Sequence, residues 1–212
     1  MKNSEKIIKI YKILYKIYNN KIIILKYNSN LELLISVILS AQTRDIQVNK
    51  VTKNLFKKYN NIDDYIKTDI KELEEDIKSI GLYKTKAKNI KNTCLKLKKE
   101  FNSEIPDNIK NLIKLNGVGR KTANVFLNKA YNINEGIAID THMIRINNRL
   151  GFIQTKNSTI IEKELKKILP KKYWGNYTNL IIGLGRDKCI KNPKCEECPI
   201  KELCNYTKNN NL

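Results

Sequence analysis

Leu115-Asn116-Gly117-Val118-Gly119-Arg120-Lys121-Thr122-Ala123 is the stretch on which the reading of this chain turns. Two glycines one residue apart separate an apolar segment ending near Leu115 from another that starts near Gly119. This spacing predicts two helices joined by a tight hairpin: the chain must turn sharply and leave room for a second backbone, which a Cβ would obstruct. Backbone N–H groups opening the second helix then point outward and attract phosphate. Lys121 falls in the first turn of that helix. An amine there, beside Arg120 and next to a phosphate-attracting helix start, is a candidate nucleophile. Nineteen positions on, Ile139-Asp140-Thr141-His142 supplies a carboxylate that can also cap a helix. A phosphate-gripping hairpin combined with an amine and a carboxylate points to covalent chemistry on DNA.

Outward from the hairpin, helical spacing recurs almost everywhere. Ile7, Ile10, Tyr11, Leu14 and Ile17 mark one face of an N-terminal helix, and residues 31–41 are apolar enough to form a buried one. Asp45 is placed to cap a helix to about Tyr59, and Asp69 with Glu72 reads as a capping box. Gly81 suits the helix end that follows, and Thr85 is placed to cap a helix to about Phe101. The hairpin pair takes roughly residues 107–130. Asp140 opens a helix towards Leu150, Ser158 opens one that stops near Pro170, and a last one runs from about Tyr173 to Lys188. The many isoleucines favour strands intrinsically, yet no alternating strand of useful length occurs. The fold class is therefore all-α.

A formal charge of +20 over 212 residues suits a nucleic-acid or anionic partner. Lysine greatly outnumbers arginine, and Lys, Asn and Ile recur throughout as in AT-biased coding, so part of the charge reflects drift towards lysine. No secretory signal or membrane span is visible. Lys9, Lys12 and Lys16 break the N-terminal apolar residues, and the run 35–39 is far short of the ~20 residues a span requires. These features read as a soluble cytoplasmic chain.

Four of the five cysteines, Cys189, Cys195, Cys198 and Cys204, enclose gaps of five, two and five residues. In a reducing cytosol they read as metal ligands rather than a disulfide framework. Four thiolates this close suit either tetrahedral zinc or a cubane iron–sulfur cluster. Zinc more often takes two short Cys-x-x-Cys pairs, of which there is one here, and Pro199 directly follows a cysteine. Cys94, mid-helix, reads as a small buried residue, and His142, the only histidine, as a structural hydrogen-bonder.

Five motifs stand in the order found in endonuclease III: Leu39-Ser40-Ala41-Gln42-Thr43-Arg44-Asp45, Ile80-Gly81-Leu82-Tyr83, Gly117-Val118-Gly119-Arg120-Lys121-Thr122-Ala123-Asn124-Val125, Asp140-Thr141-His142 and the cysteine cluster. Over essentially its whole length the chain resembles that family of DNA glycosylase/AP lyases. The resemblance implies two helical domains flanking a DNA-binding cleft. Residues 22–133 would form a six-helix barrel containing the helix–hairpin–helix. Residues 1–21 and 134–212 would form a cluster domain whose four cysteines hold a 4Fe–4S cluster. Lys121 and Asp140 would be catalytic, and Gly117, Gly119 and Arg120 would bind DNA. Gln42 and Leu82 would enter the duplex and fill the space left by an extruded nucleotide.

The implied reaction is removal of oxidised pyrimidines from double-stranded DNA, with cleavage 3′ of the abasic site by β-elimination. The resemblance further implies a monomer at the nucleoid with no membrane association. The chain departs from the family twice. Asn116 stands where relatives have proline, and the first cysteine gap holds five residues instead of six. Two other readings fit less well. An adenine-specific mismatch glycosylase generally lacks the nucleophilic lysine. A non-catalytic helix–hairpin–helix DNA-binding protein with a structural metal would need neither the Lys121 and Asp140 pair nor Gln42 and Leu82.

Overall fold

Every regular element in the computed structural model of the chain, which describes residues 2–19 and 25–210, is a helix. In chain order they begin with α1 (Asn3–Tyr18), α2 (Asn30–Ser40), α3 (Asp45–Lys58), α4 (Ile62–Lys67), α5 (Ile70–Asp76) and α6 (Tyr83–Glu100). There follow α7 (Ile109–Leu112), α8 (Arg120–Tyr131), α9 (Thr141–Leu150), α10 (Ser158–Ile168), α11 (Trp174–Asp187) and α12 (Asn205–Asn209). Two 3-10 turns lie at Lys171–Tyr173 and Lys201–Leu203. The all-α expectation holds. Backbone contacts divide the chain into two units, Ile23–Glu135 and Met1–Ile22 with Gly136–Leu212.

In the unit Ile23–Glu135, α2 is the central helix. Leu33, Leu34, Ile35, Val37, Ile38 and Leu39 are all buried, because α3, α6 and α8 pack around α2 and an apolar side chain finds a partner on any side. Each such side chain contributes about 1.5–3 kcal/mol relative to exposure. Ser29 starts the helix by accepting from the Glu32 N–H at 3.2 Å. Ala87, Ile90, Cys94 and Leu97 form the helical stripe by which α6 enters the same core. Burial pushes the Cys94 thiol up to about 12, in keeping with an inert core residue. Tyr59 and Tyr65 stack at 4.8 Å between ring centroids, and the buried Tyr65 hydroxyl has no hydrogen-bond partner among the described residues.

The other unit is built on α1, α9, α10 and α11. Ile7, Ile10 and Leu14 of α1 share one core with Met143, Ile146 and Leu150 of α9, Ile161 and Leu165 of α10, and Leu180, Ile181 and Leu184 of α11. Ile17 is only half-buried. Tyr18 closes the α1 face instead, and its hydroxyl donates to Asp187 Oδ2 at 2.9 Å. The buried Lys6 Nζ donates to Leu150 O at 2.6 Å and to Asn205 Oδ1 at 2.8 Å, tying α1 to the end of α9 and the start of α12. No helix among the described residues is long and apolar enough to cross a membrane.

Several helix starts differ from expectation, each for a local reason. Arg44, extended at φ −69° and ψ 138°, takes the position before α3, so Asp45 is its first helical residue and not its cap. Its carboxylate still lies in the first turn, where the dipole favours it. Asp69 does cap α5 by accepting from the Lys71 N–H, but Glu72 does not close a box. Its carboxylate instead accepts from Thr68 Oγ1 at 3.1 Å and pairs with Lys58 at 2.8 Å. The capping box that does form joins Asn61 and Asp64 at the start of α4, an element absent from the sequence reading. α5 ends at Asp76, before Gly81, and α6 begins at Tyr83 after a left-handed Leu82, which leaves Thr85 inside the helix.

Leu34→Ala empties a fully buried position in α2 and is expected to lower stability by about 2–5 kcal/mol. Tyr65→Phe removes an unpartnered buried hydroxyl without opening a void, so it should leave the unfolding midpoint unchanged or raise it. Chemical denaturation checks both. A loss above about 1 kcal/mol in Tyr65→Phe would show that the hydroxyl is satisfied.

Candidate functional site

The hairpin is held by α6. Gly117 has φ +77°, which favours glycine, and a Cβ there would come within 2.9 Å of Asn89 Nδ2 and 3.1 Å of Asn89 Cβ. Thr93 Oγ1, one helical turn on from Asn89, donates to Asn116 O at 2.9 Å. The hairpin is therefore docked by contacts to α6 on both of its first two residues. Gly119 differs. Its φ is −85° and nothing lies within 4 Å of its ideal Cβ position. The chain's own packing does not require glycine there, and the space in front of it is open. The α-helical part of the first arm, α7, ends at Leu112, and single turns carry the chain on to Leu115 and Val118. Helix α8 starts at Arg120 after Gly119 at the N-cap position, with no side-chain cap, and Arg120 and Lys121 in its first turn are exposed.

Gln42 and Leu82 come from segments that lie side by side in the same unit. Gln47 Nε2 donates to Ser79 Oγ at 2.9 Å, and a Cβ on Gly81 would lie 3.9 Å from Thr43 Oγ1. Both residues have left-handed backbones, at φ 56° for Gln42 and 59° for Leu82, and both are exposed. Leu82, at 61 % relative exposure, is the most exposed large apolar side chain among the described residues. A non-glycine residue at positive φ costs on the order of 1–3 kcal/mol and persists only where its surroundings over-determine it.

Asp140 belongs to the other unit, so Lys121 and Asp140 stand in different units. Asp140 caps α9, as expected, with Oδ1 accepting from the Met143 N–H at 2.8 Å. Its Oδ2 lies 3.3 Å from His142 Nδ1, and the histidine ring rests against Gly185 of α11. Both carboxylate oxygens thus have fixed partners. The same helix reaches the cysteine loop through two arginines. Arg145 donates to Cys189 O at 2.9 Å and Gly185 O at 3.3 Å. Arg149 Nη1 donates to Ile190 O at 2.7 Å and lies 3.3 Å from Cys189 Sγ, Nη2 donates to Lys191 O at 2.7 Å, and the guanidinium stacks on Tyr206.

Cys189, Cys195, Cys198 and Cys204 are all free thiols of intermediate burial. Burial pushes the Cys198 thiol up to about 11; the Ile200 N–H opposes this, and the neighbouring Cys189, Cys204 and Cys195 add to it. The four thiols therefore share one neighbourhood. Four cysteine thiols from one stretch are the donor set that a cubane takes.

These arrangements match known proteins along the whole chain. The model of the HhH-GPD superfamily base excision DNA repair protein matches residues 35–171. The endonuclease III of Bacillus subtilis is 43% identical over 182 residues, which cover 85% of this chain and 83% of that protein. The chain belongs to the endonuclease III family. The endonuclease III of Buchnera aphidicola subsp. Schizaphis graminum is 41% identical over 97% of this chain and 99% of its own length. The solved structure of a trapped endonuclease III–DNA covalent intermediate has a TM-score of 0.90 at 42% identity and covers 100% of both chains. A thermostable thymine-DNA glycosylase shares the fold at TM-score 0.86 and 22% identity. The iron-sulfur binding domain of endonuclease III matches residues 191–204, beginning two residues past Cys189. This family carries a 4Fe–4S cluster in that domain.

Within this endonuclease III frame, sequence reasoning missed Lys86, Asn89 and Thr93 on α6, and Arg145 and Arg149 on α9. A signal for the arginines exists. Only five arginines occur among the many lysines of the chain: Arg44, Arg120, Arg145, Arg149 and Arg186. An arginine among so many lysines marks a position where a planar fork of donors can be used, as Arg145 and Arg149 use theirs. The α6 residues carry no such signal.

The two hairpin glycines are expected to separate in a mutant series. Gly117→Ala should cost about 1–2 kcal/mol from its backbone alone, with the Asn89 clash in addition. Gly119→Ala should hold stability to within roughly 0.5 kcal/mol yet weaken duplex binding, since its Cβ fills the open space before α8. Thermal denaturation and fluorescence anisotropy with duplex DNA resolve the pair; equal stability losses would contradict it.

Proposed function

We infer that this chain is a base excision repair enzyme, a DNA glycosylase and AP lyase that removes oxidised pyrimidines and cleaves 3′ of the resulting abasic site. The observation that carries the reading is an exposed lysine in the first turn of an uncapped helix, directly after a hairpin locked by Gly117, in a member of the endonuclease III family. A related endonuclease III has been trapped covalently on DNA, which supports an amine nucleophile here. The partner is double-stranded DNA carrying damaged pyrimidines or abasic sites. The enzyme acts as a monomer, in the cytoplasm at the nucleoid. Residues 22–133 serve as the hairpin-bearing barrel, and residues 1–21 with 134–212 as the cluster domain.

The hairpin amides and Arg120 bind backbone phosphate, with Gly117 and Gly119 keeping that surface free of side chains. The damaged nucleotide leaves the stack at a cost of a few kcal/mol, lower where stacking is already weakened. Gln42 and Leu82 fill the vacated space. Lys121 Nζ then attacks C1′ of the sugar while the Asp140 carboxylate offsets the positive charge developing at C1′; it next takes the proton that the attacking nitrogen loses and passes it to the departing base. The bond from C1′ to the base breaks and the base departs with a proton. Ring opening gives an imine between Nζ and C1′. Loss of a C2′ proton breaks the C3′–O bond and expels the 3′ phosphate, and water hydrolyses the imine to restore Lys121. Cys189, Cys195, Cys198 and Cys204 would hold the 4Fe–4S cluster, and such ligation would brace the loop between α11 and α12. These steps are redox-neutral, so the cluster is assigned a structural part.

Borohydride reduction of the imine is the direct test of the nucleophile. The wild-type chain is expected to be trapped on abasic and thymine-glycol duplexes, and Lys121→Ala to lose trapping; equal trapping by the variant would sink the assignment. Asp140→Asn should lose turnover by several orders of magnitude while still retarding damaged DNA in a gel, because removing a negative charge from a DNA-binding protein leaves affinity intact or raises it. Weakened binding with a normal single-turnover rate would contradict the catalytic role.

A further inference from the structure

We propose that Lys86 is a positioning residue for nucleotide extrusion, holding the Gln42 segment and the Leu82 segment in register from inside the helical core. The side chain is 4 % exposed, and its Nζ donates to Leu39 O at 2.8 Å, Ala41 O at 2.7 Å and Thr43 Oγ1 at 2.9 Å. Ala41 and Thr43 flank Gln42, so the ammonium grips the chain on both sides of a residue whose φ of 56° is unfavourable for a side chain. Lys86 also stands in the first turn of α6, where its own N–H donates to Leu82 O at 3.0 Å. Leu82 is the other exposed residue of left-handed backbone in this pair of segments. One residue therefore bonds to both segments.

The three acceptors are two carbonyls and a hydroxyl, not a carboxylate. Burial holds the ammonium below the ordinary lysine value, so the charge is kept against a desolvation penalty. It is favoured where it lies, at the carbonyl end of α2, by the helix dipole. A lysine is suited to this because its ammonium donates in three directions from the end of a long apolar stem that packs in the core. The same face of α6 continues with Asn89 and Thr93, three and seven positions on, which seat the hairpin through Gly117 and Asn116. The segments proposed to enter the duplex and the hairpin proposed to bind phosphate are thus indexed to one helix.

The inference rests on the extrusion role proposed for Gln42 and Leu82, and the test separates the two. Single-turnover rates are measured on thymine glycol in a duplex, where the base must be extruded, and on an abasic site in single-stranded DNA, where nothing opposes it. Gln42→Ala is expected to slow the duplex reaction about tenfold and the single-stranded one less than about twofold. If Gln42→Ala slows both equally, the extrusion reading fails and this inference with it. If Gln42→Ala is selective, Lys86→Met should show the same selectivity, and the double variant should be no slower than about twice the slower single one, because both act through one segment. Multiplied effects, or equal slowing by Lys86→Met on both substrates, would overturn the positioning role while leaving the extrusion reading intact. Should Lys86→Met fail to fold by circular dichroism, Thr43→Ala decides. It removes one acceptor at a half-exposed position and is expected to slow the duplex reaction alone, by about threefold. No loss, or an equal loss on both substrates, overturns the proposal.

Discussion

Every helix leaves four N–H groups and four carbonyls unpaired at its ends, and the way these are satisfied shapes the segments around the candidate site. The end of α2 is closed completely. Val37 O accepts from Ser40 Oγ, Ile38 O from the Ala41 N–H, Leu39 O from Lys86, and Ser40 O from the Thr43 N–H. Side chains of Ser29, Asn61, Asp69, Asn108, Asp140 and Asn157 cap α2, α4, α5, α7, α9 and α10. Helix α8, which carries Lys121, has no side-chain cap, and neither have α1, α3, α6, α11 and α12; it is set apart by the exposed Arg120 and Lys121 of its first turn and by the open space before Gly119. A helix start that is exposed and uncapped keeps its positive end available to an anion from outside. In the proposed reaction the closed end of α2 steadies the Gln42 segment, and the exposed start of α8 receives phosphate.

The second unit applies the same logic to a carboxylate and a metal loop. Asp140 is both the cap of α9 and the proposed catalytic acid–base group, and the two duties agree because the cap fixes the carboxylate's direction. Further along α9, Arg145 and Arg149 hold the carbonyls of Cys189, Ile190 and Lys191. Lysine could not replace them equally, since each guanidinium spreads its donors over two or three acceptors in a fixed plane. The cysteine loop is thus tied to α9, the helix that Asp140 caps.

Helix type, helix order and the hairpin were legible in the sequence because each rests on local pattern. Apolar spacing placed α1 and α2, and the Gly117 turn announced itself through glycine. The errors lie where tertiary contacts override local preference. Thr85 has the chemistry of a cap, but α6 starts a turn earlier because Leu82 is held left-handed by its neighbours. Glu72 has the spacing of a capping box, but Lys58 from α3 and the nearby Thr68 hydroxyl attract its carboxylate outward. The Asn61–Asp64 box was missed since a short polar segment gives no apolar period to look for. Of the candidate site, the proposed motif residues come from local sequence, whereas the burial of Lys86 is not legible there: a buried lysine and a surface lysine are the same letter, and in this chain that letter is everywhere.

That abundance also decides what the charge of +20 means. Lys6 and Lys86 are internal and direct their donors at neutral carbonyl, amide and hydroxyl oxygens, so they keep their charge but are not placed to touch a phosphate. Lys58, Lys98, Lys188 and Lys201 are paired with Asp or Glu, so each presents a dipole instead of a free charge, and those carboxylates are already subtracted in the net figure. The long-range attraction of the chain for DNA follows from what remains, the exposed lysines without a carboxylate neighbour, together with Arg120 at the hairpin. Specific placement comes from a few residues whose partners are fixed, and the general charge supplies the encounter rate and its sensitivity to salt. The exposed, unpaired lysines therefore govern how fast such a protein meets DNA, and the proposed site residues govern what it does there.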